Sequence, residues 1–159
     1  MASNVLPVIG RPAPDFSLPS TTGENLSLKQ FKGKKTVVLY FYSKDGTPGC
    51  TREACDLRDH SAELEAANVV VLGVSTDSLE SHQHFKEKQK LPFPLLSDED
   101  GAVSRLYGVY KQKNLYGKKH LGIERTTFVI DKTGRVAQIW PKVKVDGHIQ
   151  DVLEFVAGD

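Results

Sequence analysis

A chain of 159 residues suits one domain, read here as residues 1–159, and buries roughly two-thirds of its unfolded surface without cross-links. Its 21 basic and 20 acidic side chains leave a net charge of +1, so no global field recruits nucleic acid or an anionic membrane. No apolar run approaches a membrane span, and "MASNVLPVIGRPAPDF" lacks the basic-then-apolar order of a secretory signal.

The expected setting is therefore reducing and cytoplasmic, unless a targeting segment has been removed. In such a setting two nearby cysteines are more often catalytic or metal-binding than a structural staple. The chain has two, Cys50 and Cys55, both inside "TPGCTREAC".

In chain order, Pro7, Pro12 and Pro14 predict an extended or turning arm. "DFSLPSTTGENLSL" reads as two short strands around a turn at Thr22-Gly23. "KKTVVLYFY" (34–42) is a continuous β-branched and aromatic run, the pattern of a strand buried on both faces. After the polar "SKDGTPG" a helix is expected from about Pro48 to Ala67. Ala54, Leu57, Leu64 and Ala67 form its apolar stripe, and Pro48 suits its first turn.

"VVVLGVST" (69–76) is a second buried strand, and "SLESHQHFKEKQK" (78–90) a helix with Ser78 as its cap. "FPLLSD" is a short strand, "EDGAVSRLYGV" a short helix ending near Gly108, and the basic "YKQKNLYGKKHLG" (110–122) a loop. "ERTTFVI" and "RVAQIWP" are strands joined by "DKTG", whose Gly134 supplies a positive φ. "DGHIQDVLEFVAG" closes the chain as a helix burying Ile149, Val152, Leu153 and Val156. This order predicts an α/β class, a three-layer α/β/α thioredoxin-like fold with an N-terminal strand extension.

Cys50 falls where a buried strand has ended and a helix begins. Unpaired N–H groups in a first helical turn favour negative charge, so a thiol there ionises readily. Gly49 is expected to let the backbone turn tightly, and Thr47 to reach a hydroxyl over the helix mouth. The bland alternative is a buried cysteine acting as a small hydrophobe.

Cys55 lies five positions on, within the same helix. Helical rise separates the two Cα atoms by about 8–9 Å and turns them apart, whereas a disulfide spans no more than about 7 Å. Either the pair never bonds, or the start of the helix unwinds when it does.

"FYSKDGTPGCTREACDLRD" resembles the active-site segment of peroxiredoxins of the Q type, also called bacterioferritin comigratory proteins. The resemblance extends through "GRPAPDFSLPSTTGENLSL", "VVVLGVSTDS" and "ERTTFVIDKTGRV", nearly the whole chain. It implies a thiol peroxidase reducing hydrogen peroxide and small organic hydroperoxides without metal or cofactor. Cys50 would be the peroxidatic cysteine, becoming a sulfenic acid. Thr47 and the Cys50 backbone N–H would orient the peroxide, and Arg125 would stabilise the thiolate and the leaving oxygen.

On the same resemblance, Glu53 would brace Arg125, and Cys55 would condense with the sulfenic acid. Thioredoxin or a glutaredoxin-like dithiol protein would reduce the disulfide, and the protein would work as a monomer. One departure stands out: the family motif begins with Pro, whereas position 43 is Ser. That change is expected to leave the pocket more open or wetter, and the core chemistry to survive, since Ser43 need not contact the reacting atoms. The chain also lacks the GGLG segment of sensitive peroxiredoxins, which implies resistance to over-oxidation.

Other signals carry less. His82 and His84 are two apart on a helix and face different ways, a poor metal pair. "FKGKK" and "KQKNLYGKK" read as solvated basic loops rather than nucleic-acid patches. Trp140 and Tyr40, Tyr42, Tyr107, Tyr110 and Tyr116 read as core or surface aromatics. Two rival functions remain. A thioredoxin-like disulfide reductase would carry C-x-x-C, which is absent, and a copper carrier or redox-sensing adaptor would add a distal His to the cysteine pair.

Overall fold

The computed structural model describes residues 5–158. The N-terminal arm is extended as its prolines dictate. Gly10 N–H donates to the Val136 carbonyl (2.8 Å) and Ala13 N–H to that of Gly134 (2.9 Å). Strands β1 (Ser17–Pro19) and β2 (Asn25–Ser27) then pair antiparallel around the expected turn, where Gly23 takes φ +89°.

The apolar run forms β3 (Thr36–Phe41), in which Val37 to Phe41 are each 1% exposed or less. Burial of each large side chain contributes roughly 1.5–3 kcal/mol, so this strand is the keel of the fold. The chain continues through α1 (Pro48–Asp59), α2 (Ser61–Ala66), β4 (Val69–Ser75) and α3 (Leu79–Gln89). Next come β5 (Leu95–Ser97), α4 (Ala102–Leu106), β6 (Tyr110–Leu115) and β7 (Lys118–Ile123). Strands β8 (Thr126–Ile130) and β9 (Val136–Trp140) and helix α5 (His148–Ala157) complete it.

The central sheet has the order β5-β4-β3-β8-β9, with β3, β4 and β5 parallel and β8 and β9 antiparallel to their neighbours. Alternate residues of β3 feed two cores. Val37, Leu39 and Phe41 pack with the β1–β2 hairpin and α4, while Val38 and Tyr40 pack with α1, α2 and α5. The three-layer thioredoxin-like expectation is borne out, with the N-terminal strands covering much of one face. Ser78 caps α3 by accepting from Ser81 N–H at 3.1 Å, and Gly134 turns β8 into β9 at φ +85°.

Two expectations are corrected. The single helix over 48–67 is two, broken at His60 (φ −110°, ψ 16°), whose ring Nδ1 bonds the Asp56 carbonyl at 2.9 Å. A side chain bound to that carbonyl caps one helix while the next begins, and a 3.6-residue periodicity passes through such a break unchanged. The loop over 110–122 is instead the β6–β7 hairpin. Tyr116 and Gly117 form its two-residue turn with φ +52° and +76°, both positive as such tight hairpins require. Its polar, basic strands lack the apolar alternation by which a strand is recognised.

Candidate active site

The parallel strands β3 and β4 end at the same edge of the sheet, and antiparallel β8 starts there. In the register, Phe41 at the end of β3 faces Thr126 at the start of β8. Arg125, one residue before β8, is thereby set beside the loop leaving β3. Residues 75 sequence positions apart meet for this topological reason: Arg125 Nη2 lies 3.3 Å from Cys50 Sγ.

Helix α1 presents Cys50 from its first turn. Thr47 is the residue before the helix (φ −72°, ψ 151°) and Pro48 its first position. The first intrahelical bond runs from Thr51 N–H to the Thr47 carbonyl at 2.8 Å, so Gly49 and Cys50 have no carbonyl four residues back to bond. Their N–H groups place partial positive charge at the sulfur. Gly49 contributes differently from expectation: its φ is not positive. A Cβ at position 49 would stand 3.1 Å from Arg125 Nη2, so the glycine makes room for the guanidinium.

Cys50 is 1% exposed. Burial pushes its thiol up. The Thr47 hydroxyl, the Lys44 backbone N–H, Ser43 and the Arg125 charge together outweigh it, and the thiol lies below its ordinary range. The Thr47 hydroxyl has a single hydrogen, which in this geometry donates to the Lys44 carbonyl at 2.9 Å. Thr47 therefore favours the thiolate only after its O–H rotates, and Lys44 N–H, Ser43 and Arg125 are the standing contributors. Ser43, a contact the chemistry was not expected to need, places its Oγ 3.6 Å from Cys50 Sγ. A proline there would have no hydroxyl to offer.

Glu53, one turn after Cys50, accepts from Arg125 Nη1 at 2.7 Å. Its side chain is 4% exposed, and its second oxygen, Oε2, has no hydrogen-bond partner among the described residues. Burial raises this carboxyl to about 7 against the pull of Arg125. The planar guanidinium thus spans two sites, one nitrogen on the carboxyl group and one on the sulfur, where a lysine would have to serve both from a single nitrogen.

Cys55 is not brought to Cys50. Both thiols are free, Cys50 buried and Cys55 half-buried. Cys55 Sγ donates to Gln89 Oε1 at 3.5 Å, at the far end of α3, and Arg58 Nη1 donates to the Gln89 carbonyl at 2.7 Å. Sequence reasoning missed Gln89, the Ser43 contact and the Lys44 backbone N–H. No spacing rule finds a glutamine on another helix, or a backbone donor whose residue type is immaterial.

Buried Cys50 and Glu53 and half-buried Arg125 form a site that favours a thiolate and offers a cationic donor to an oxygen approaching it. His82 and His84 separate as expected, one buried and one exposed, and none of the helices among the described residues is long and apolar enough to cross a membrane. Residues 9–139 match the model of the AhpC/TSA family. The chain is 58% identical over 145 residues to a Coxiella burnetii protein carrying the peroxiredoxin bcp name, covering 91% of this chain and 95% of that one. It is 49% identical over 146 residues to peroxiredoxin Bcp of Bacillus subtilis, covering 92% of each.

Among solved structures it superposes on Xanthomonas campestris peroxiredoxin Q with a TM-score of 0.88, at 42% identity over 98% of both chains. It also matches a bacterioferritin comigratory protein of that organism (TM-score 0.85, 44% identity, 90% of each chain), which is described with alkyl peroxide reduction activity. The chain belongs to the AhpC/TSA family, and it is a thiol peroxidase of the peroxiredoxin kind.

Proposed function

We propose that Cys50 is the peroxidatic residue and that hydrogen peroxide and small organic hydroperoxides are its substrates. The observation that supports this best is the Cys50 sulfur held 3.3 Å from Arg125 Nη2 at a helix mouth. The thiolate attacks the nearer peroxide oxygen, the O–O bond breaks, and the sulfur becomes a sulfenic acid. The departing alkoxide or hydroxide meets the guanidinium as its charge develops and leaves as an alcohol or water once protonated. Thr47, with its hydroxyl turned from Lys44, donates to the bound peroxide, and Glu53 keeps Arg125 aimed.

Cys55 then attacks the sulfenic sulfur, expelling water and forming an intramolecular disulfide. Because α1 holds the two thiols apart, the first turns of the helix unwind for this step. A dithiol protein, thioredoxin or a glutaredoxin-like reductant, returns both thiols. The chemistry needs no metal or bound cofactor, since the thiolate is the nucleophile. The whole cycle belongs to one domain acting as a monomer in the cytoplasm.

The decisive test is thioredoxin-coupled turnover of peroxide. Cys50→Ser should abolish it. Cys55→Ser should still consume one equivalent of peroxide and then stall with a sulfenic acid trappable by dimedone. Full turnover by Cys50→Ser overturns the proposal, and full turnover by Cys55→Ser removes Cys55 from it.

A further inference from the structure

On α3, fully buried His82 faces an acceptor at each ring nitrogen. Nε2 lies 2.9 Å from the Leu96 carbonyl oxygen, and Nδ1 lies 2.7 Å from Asp45 Oδ2. A carbonyl only accepts, so Nε2 carries a hydrogen. Asp45 is engaged as a carboxylate: Tyr42 O–H donates to its Oδ1 (2.5 Å), and Ser81 O–H donates to its Oδ2 (2.8 Å). Burial raises that carboxyl, but the bonds from His82, Tyr42 and Ser81 outweigh it and hold Asp45 below the usual carboxylate range. Nδ1 therefore also needs a hydrogen, since a bare lone pair against a carboxylate oxygen is repulsive.

The surrounding charge agrees. Asp77, which follows β4, brings a carboxylate oxygen within 4.8 Å of an Asp45 carboxylate oxygen and of a His82 ring nitrogen. Its Oδ2 accepts from Asp45 N–H (2.8 Å) and from the Ser75 hydroxyl (2.6 Å). Among the described residues, the charged and titratable groups facing the ring are Asp45 and Tyr42 from the β3 side, the Tyr42 oxygen lying 3.3 Å from Nδ1, and Asp77 from the β4 side. Two carboxylates this close to a buried ring favour its charged form.

Asp45 sits in the middle of the loop 43–47, whose Ser43 hydroxyl and Lys44 N–H act on the Cys50 sulfur, and which ends on Thr47. Its backbone is tied to Asp77 and its side chain to His82, so the loop is pinned from β4 and α3 at once.

We propose that His82 is a positioning residue for the Cys50 site: as a buried imidazolium it holds the Asp45 carboxylate, and with it the loop that supplies the thiolate's hydrogen bonds. His82 touches no reacting atom; it acts through Asp45. The inference rests on Cys50 being the reacting thiol, and its first test does not.

Nitrogen NMR of the reduced full chain should show both His82 ring nitrogens protonated at neutral pH. One protonated and one bare nitrogen overturns the proposal, including the case in which the proton has moved to Asp45. Asp45→Asn, which removes the anion and keeps the size, should release the Nδ1 proton.

In folded His82→Gln, the thiolate absorbance of Cys50 should titrate at higher pH, and oxidation by peroxide should slow about tenfold as the loop loses its aim. An unchanged titration with an unchanged rate overturns the positioning role. If His82→Gln does not fold, the wild-type spectrum decides. Failure of the Cys50 assignment itself would appear separately, as activity in Cys50→Ser.

Discussion

At its first turn α1 holds a thiol that is 1% exposed, 3.3 Å from a guanidinium. Five residues on it holds a half-buried thiol whose bond is to a side-chain amide 3.5 Å away. The residue type is the same and so is the helix, but the surroundings come from different places. The loop after β3 and the residue before β8 converge on Cys50, whereas the hydrogen bond of Cys55 is to the end of α3. Thiol chemistry here is thus assigned by tertiary neighbours. A shared helix supplies the spacing, and the sheet edge supplies the difference in surroundings.

The largest break in that contrast comes from Arg125. Arg125→Ala should slow stopped-flow oxidation of Cys50 about 10²–10³-fold, the usual loss for a preorganised donor at a developing charge. It also removes the partner of buried Glu53, which then takes up a proton, so urea unfolding should show a loss of ~1–3 kcal/mol. Oxidation as fast as wild type would mean that the two ends of α1 do not differ in the way described.

Glu53 sharpens the contrast through pH. Its folded value of about 7 is raised above the usual 4.5, so the folded chain keeps a proton that the unfolded chain releases. The corresponding stability is present in full below the unfolded value and declines as pH rises, until the folded group ionises near 7. Once ionised, Glu53 partly offsets the guanidinium charge felt by the sulfur while still holding Arg125 in place. Glu53→Gln should remove both that decline and the inflection near 7 in the pH profile of Cys50 oxidation. An inflection that survives in the variant belongs to another group.

A smaller effect with opposite signs in rate and stability is expected from Gly49→Ala. The added methyl meets Arg125 Nη2 at 3.1 Å, and displacing the guanidinium by a few tenths of an ångström should cost about two- to tenfold in rate. Alanine is the better helix former, so stability should hold or rise by up to ~1 kcal/mol. Slower oxidation together with lower stability would show that position 49 matters for folding rather than for space.

The smallest effect belongs to the other end of the helix. Gln89→Ala removes the amide that holds Cys55, a bond worth ~0.5–1 kcal/mol, so the disulfide should form about two- to fivefold faster after a peroxide pulse. Cys50 oxidation itself should not change. A change in that first step would mean that the two ends are coupled through α1.

Much of this was legible in the residues. The continuous apolar run of β3, the cap at Ser78, the turn at Gly134 and the helix start at Pro48 are local signals, each with a local cause. Thr47, Cys50, Glu53 and Cys55 share one segment, so their order along α1 follows from the sequence. The β6–β7 hairpin was not legible, because solvated strands carry no apolar alternation and its Tyr116-Gly117 turn lies outside the common turn pairs. The break at His60 was hidden as well, since a side chain bonded to its own helix changes no periodicity.

What the sequence determines by itself is a helix mouth with a cysteine in its first turn and a second cysteine too far along the helix to bond. Those facts follow from backbone hydrogen bonding and a fixed rise per residue, which act between near neighbours. Only the tertiary structure decides that Arg125 bridges Glu53 and Cys50, that Gly49 leaves room for it, that Ser43 reaches the sulfur, and that His82 lies between Asp45 and Leu96. Strand order and register set those meetings, because antiparallel β8 begins where parallel β3 and β4 end.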